Sequence, residues 1–211
     1  MGLKKAFPVR GDLQVTCSKR GTPGQAKGTP AAAKLFTRLL LAPLAAAALG
    51  LASCGDHGGE GKDCPAALKA KTPSGFCVPR YVSLKRGEVF GRKGPGKDYE
   101  ALWVYHALGL PVQVVQETTD WRRVCDPDGG AVWIHRSMTD GRRTVMAVGA
   151  TPVAIRNDTK LTARVSGLLN ARALASLDHC RGDWCKVTVG GVSGWVARAQ
   201  VWGTAEAAQC H

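Results

Sequence analysis

The chain has 211 residues, 45% hydrophobic and 21% charged, which is too apolar for disorder and long enough for one medium domain or two small ones. Its formal charge of +13 is unevenly spread: residues 1–53 hold eight Lys/Arg and one Asp, a net +7, while the other 21 Lys/Arg and 15 Asp/Glu leave +6. No basic helix or RNA-binding signature accompanies that remainder, so nucleic acid is excluded as the expected partner.

Residues 1–33 are basic, contain Gly, Pro and Ala, and show no periodicity, as they would if translation began later, somewhere before Lys34. Lys34 and Arg38 then precede Leu39–Ala52, fourteen residues without a charge. A membrane-spanning helix needs about 20, so this stretch has the length of a signal-peptide core. Residues 1–53 are therefore read as an export signal with a basic extension. Leu51-Ala52-Ser53-Cys54 resembles the bacterial lipobox, which implies that Cys54 is acylated and anchors the mature chain to a membrane. Gly55 after it resembles outer- more than inner-membrane lipoproteins. The competing reading is an ordinary signal peptide cut after Ala52, with Cys54 left as a disulfide partner.

Residues 54–79, rich in Gly, Lys and Asp, read as a flexible tether, with Cys64 and Cys77 available to fasten its end. From residue 80 the pattern changes to short alternating runs. Strands are expected at Val82–Lys85, Glu88–Arg92, Leu102–Ala107, Pro111–Thr118, Trp121–Asp126 and Ala131–Arg136, parted by Gly/Pro/Asp turns. Five- or six-residue runs at that spacing predict an all-β barrel or sandwich.

The pattern then recurs. Asp120-Trp121 with Val124 matches Asp183-Trp184 with Val187, and Val132-Trp133-Ile134 matches Gly194-Trp195-Val196. Val114 and Leu177 each lie seven residues before the first Trp. Single-residue differences confined to turns mark a tandem repeat. The two units are placed at 80–142 and 143–211. In so small a barrel, large side chains such as these tryptophans are expected to do most of the packing.

Val89-Phe90-Gly91-Arg92-Lys93-Gly94-Pro95-Gly96, Asp98-Tyr99, Gly109-Leu110-Pro111-Val112, Asp120-Trp121 and Trp133-Ile134, in that order, resemble a bacterial SH3 domain. More narrowly, they resemble the variant common, often as a tandem pair, in exported proteins of proteobacteria. The second copy lacks the Gly-Pro-Gly stretch and has Asn157-Asp158-Thr159 after Ala154-Ile155-Arg156. The resemblance implies two tandem SH3-like barrels and a cell-wall ligand, peptidoglycan peptide or glycan.

Eight cysteines indicate an oxidising compartment, here the periplasm or cell envelope. No Cys-x-x-Cys pair exists, so neither zinc nor any other metal or cofactor is expected. Cys180 and Cys185 flank a four-residue hairpin loop and are expected to pair. Cys64, Cys77, Cys125 and Cys210 allow three connectivities. Cys125 with His135 was the one candidate catalytic pair; it lacks a third orienting group and room for a peptidase, so no enzyme is expected. The candidate ligand set is Arg92, Lys93, Tyr99, Trp103 and Tyr105. Leu102 and Val104 are assigned to the core, which turns Trp103 and Tyr105 outward beside Arg92, Lys93 and Lys97 as a groove for a carboxylate-bearing peptide or glycan. The competing assignment packs Trp103 against the second repeat. The alternative function is an interaction module that binds an envelope protein without wall affinity.

Overall fold

The computed structural model describes Cys64 and residues 72–210; Cys54, the leader and most of the tether lie outside the described residues. Seven strands form the first sheet: β1 (Arg80–Leu84), β2 (Val89–Arg92), β3 (Ala101–Tyr105), β4 (Pro111–Glu117), β5 (Trp121–Cys125), β6 (Ala131–His135) and β7 (Thr139–Asp140). Seven more form the second: β8 (Thr144–Ala147), β9 (Val153–Arg156), β10 (Val165–Leu169), β11 (Leu174–Arg181), β12 (Trp184–Val189), β13 (Val192–Ala197) and β14 (Val201–Trp202). The strand orders, β3-β2-β6-β5-β4-β1-β7 and β10-β9-β13-β12-β11-β8-β14, superimpose element for element. The fold is all-β, two curled sheets forming tandem SH3-like barrels.

Alternation makes these strands. In β6, Val132 and Ile134 are buried while Ala131, Trp133 and His135 are half-buried, and β9 repeats the pattern with Val153 and Ile155. Each barrel thereby gains an inner aliphatic face. The first core is built from Leu84, Val89, Leu110, Val112, Val114, Val124, Val132 and Ile134 around Tyr105. Contrary to expectation, Trp121, Trp133, Trp184 and Trp195 are not members of either core. They sit at odd offsets from the buried valines, and strand geometry therefore turns them to the outer face.

One pairing shows how tightly the copies are fitted. Gly91 lies opposite Trp103, and a Cβ at Gly91 would come within 2.8 Å of Val132 Cγ2 and 3.3 Å of Trp103 Nε1. In the second barrel the large and small partners are exchanged: Ile155 stands opposite Gly167. Both strand pairs carry a register shift at the same place, beside Arg92 and beside Val165.

The barrels share packing. Met146 of β8 belongs to the first core, and Leu174 of β11 packs against it. Thr144 Oγ1 donates to Gly109 O at 2.7 Å, Ser83 Oγ lies 2.7 Å from Thr144 Oγ1, and Arg172 pairs with Asp128 at 3.0 Å. The segment after β14 returns to the first barrel. There the fully buried Gln113 donates to Ala207 O and accepts from Gln209 N–H, both at 2.8 Å. Disulfides join Cys64 to Cys77, Cys125 to Cys210, and Cys180 to Cys185.

Candidate functional site

The first barrel carries a cleft of about 350 Å³ between β2, the following loop and the β5–β6 edge. Phe90 and Arg92 enter it from β2 because Val89 and Gly91, on the alternate positions, point inward. Trp121 and His135 are directly paired across β5 and β6, with ring centroids 5.3 Å apart and edge to face. Lys97 and Glu88 complete the charged rim, and Met138 supplies an apolar patch.

The polar groups are held in place. Arg92 Nη1 donates to Tyr99 O at 2.7 Å, and its guanidinium carbon lies 5.9 Å from the Phe90 ring centre. His135 Nδ1 lies 2.7 Å from Ser137 Oγ and caps the short 3-10 turn at Arg136–Met138 by accepting from Ser137 N–H. The site thus offers two cations, one carboxylate and three ring faces around one recess. A ligand with a carboxylate, an amine and an apolar body has a partner for each part.

The structure separates the five expected ligand residues. Arg92 lines the cleft; Lys93 is exposed but outside the lining. Tyr99 is half exposed, yet its ring seats on the loop: a Cβ at Gly94 would meet that ring at 2.4 Å, and one at Gly96 at 3.1 Å. Tyr99 therefore shapes the Gly-Pro-Gly loop that presents Lys97. Trp103 and Tyr105 do not form an outer groove, and this corrects the expectation. Tyr105 is fully buried, and Trp103 packs against the first core rather than facing solvent. Their inward face is dictated by β2, whose Gly91 and Val89 oppose them.

Tyr105 belongs to a buried polar chain. Its hydroxyl donates to Asp126 Oδ2 at 3.0 Å, and the Trp103 ring stands edge-on to its own, with centroids 6.3 Å apart. Asp126 Oδ1 accepts from the Asp128 and Gly130 amides at 3.0 and 2.8 Å, shaping the β5–β6 turn where Gly129 adopts φ +81°. Burial, then the Asp126 charge, pushes the Tyr105 phenol far above its ordinary range. The group stays a neutral donor and its role is structural.

Phe90, Trp121 and His135 were missed as site residues by the sequence reading. The signal was present in the alternation Val89-Phe90-Gly91-Arg92, which sets Phe90 and Arg92 on one face. The second barrel keeps the frame and loses the chemistry. Arg156 Nη1 donates to Ala163 O at 2.8 Å, as Arg92 does to Tyr99, and pairs with Trp195 as Arg92 pairs with Trp133. Counting from that register, Ala154 replaces Phe90, Leu161 replaces Lys97 and Ala197 replaces His135. Cys125, bonded to Cys210, has no thiol to offer His135. Among the described residues, no cluster of three or more His, Cys, Asp or Glu is placed to hold a metal ion.

No curated protein matches this chain. Among solved structures, NlpC2 from Trichomonas vaginalis is similar over 59% of this chain and 48% of its own, at 9% identity and a TM-score of 0.27. NlpC1 from the same organism is similar over 66% and 50%, at 10% identity and a TM-score of 0.28. The chain spans about half the length of those structures. The bacterial SH3 domain matches at residues 85–141, the cleft-bearing barrel, and again at 149–203, its altered copy, so the chain belongs to the bacterial SH3 domain family and carries that domain twice.

Proposed function

We propose that this protein is a non-catalytic binding module of the cell envelope, and that the cleft of its first barrel holds peptidoglycan through the wall's carboxylate-bearing peptide. The observation that carries this reading is the contrast between the copies: only the first has Phe90, Lys97 and His135 around the arginine and tryptophan that both share. Arg92 and Lys97 suit the peptide carboxylate, Glu88 its amine, and Phe90, Trp121 and Met138 its apolar body. The family membership supports a binding role. Every described cysteine sits in a disulfide, which leaves Cys125 unable to supply a thiolate. A lipid on Cys54 and a periplasmic location complete the proposal, the tether letting the barrels reach the wall.

Co-sedimentation of the full chain with purified sacculi tests it. The unmodified protein is expected to pellet, and Lys97→Glu or Trp121→Ala to weaken pelleting about tenfold or more, as the loss of a central anchor does. If the unmodified chain stays in the supernatant, wall binding is refuted and an envelope protein becomes the ligand to seek.

A further inference from the structure

Beside the place where the first barrel has Lys97, the outer face of the second barrel has become aliphatic. On β10, Val165 pairs with Arg156 and Leu168 with Ala154, and the shift between Val165 and Gly167 brings Val165 and Leu168 to the same outer face. Gly167 and Leu169 turn inward against Ile155 and Val153. Leu161, where the first barrel has Lys97, stands at a turn and is 75% exposed; Val165 and Leu168 are each 45% exposed. β10 is also an edge strand, where natural sheets ordinarily place charge rather than exposed aliphatic side chains.

The charges around this patch are mostly basic. Lys160 and Arg164 flank Leu161, both exposed, and Arg156 borders Val165. The one nearby acid, Asp158, is turned back to accept from Thr159 N–H at 2.7 Å. Protein hot spots draw on Trp, Tyr and buried Arg fitted into recesses. Here three aliphatic side chains project between cations, and a projecting side chain fits a fluid partner that needs no matching shape.

We infer that this patch is a docking surface for an anionic lipid bilayer. Leu161, Val165 and Leu168 enter the boundary between headgroups and acyl chains, while Lys160 and Arg164 meet the lipid phosphates. The inference is independent of the cleft on the first barrel and of any lipid on Cys54. It gives the two copies different partners: the first barrel the wall, the second the bilayer.

Hydrogen exchange of the full chain, followed by mass spectrometry over residues 157–169, reads this surface alone. Vesicles of phosphatidylethanolamine with phosphatidylglycerol are expected to slow those amides about tenfold, and vesicles of phosphatidylcholine to leave them nearly unchanged. Leu161→Ser with Leu168→Ser should abolish the slowing while amides of β11–β13 exchange as before, which separates lost docking from lost folding. Unchanged exchange over 157–169 with anionic vesicles overturns the inference and gives the patch to a protein partner. Slowing that follows protein concentration without vesicles overturns it in favour of a second copy of the chain.

Discussion

Glu117 shows how much one side chain can organise. Its carboxylate is 2% exposed and accepts from Thr72, Ser74 and Arg80, and from Arg122 Nε at 2.7 Å. Burial alone would raise its pKa, but the hydrogen bonds from Ser74, Thr72 and Arg80 and the Arg80 charge bring it down to about 2. A carboxylate depressed in the folded state stabilises at pH values above its unfolded pKa of about 4.5, and that contribution is lost as pH falls towards 2. Unfolding free energies from urea titration should therefore differ between the native protein and Glu117→Gln by on the order of 2 kcal/mol near pH 6 and converge near pH 2. A constant difference across that window would show that the charge is not what the site uses. The same carboxylate fastens residues 72–74 to β4, so a variant lacking it should also loosen the chain leading to Cys77.

Strands and turns were largely legible in the sequence, because β-branched alternation and Gly/Pro/Asp punctuation carry both the period and its interruptions. The runs expected around Pro111, Trp121 and Ala131 start where β4, β5 and β6 start. β3 defeated the same logic. Its Ala-Leu-Trp-Val-Tyr is apolar on both sides, so alternation names two faces without saying which one is inside. The register shift beside Arg92 changes the phase once more. The deciding fact lies on the neighbouring strand, where Gly91 leaves the room that Trp103 fills, and pairing of that kind is read only once the strands are aligned. The candidate cleft was half legible for a related reason: Arg92 and Lys97 are near in sequence, while Trp121 and His135 reach them only through the curl of the sheet. In the second barrel, the β11–β12 hairpin turns at Gly182-Asp183, with Cys180 and Cys185 directly opposite one another. A disulfide closing so short a loop stabilises by only about 2 kcal/mol. Cys180→Ser with Cys185→Ser should lower the unfolding free energy in urea by that modest amount, with a matching small drop in midpoint, and leave the far-ultraviolet circular dichroism spectrum unchanged.

Taken whole, the two barrels are linked by Met146 in the first core, by the Ser83–Thr144–Gly109 hydrogen bonds and by the returning tail on Gln113. They should melt in one calorimetric transition rather than two. Cys125 and Cys210 are 85 residues apart, and closing so long a loop contributes about 4–5 kcal/mol in the chain-entropy account. Cys210→Ser should therefore lower the midpoint well beyond the hairpin variant, and a smaller effect would show that tail contacts, not the bridge, hold the segment. The bridge has a mechanical meaning too. Cys125 ends β5 and Cys210 lies past β14, so the whole second barrel hangs inside a covalent ring. Tension between the two ends of the chain passes from Cys125 straight to Cys210 and bypasses that ring. The second barrel bears no load, and about 300 Å of extensible chain stays locked away until the bond is reduced.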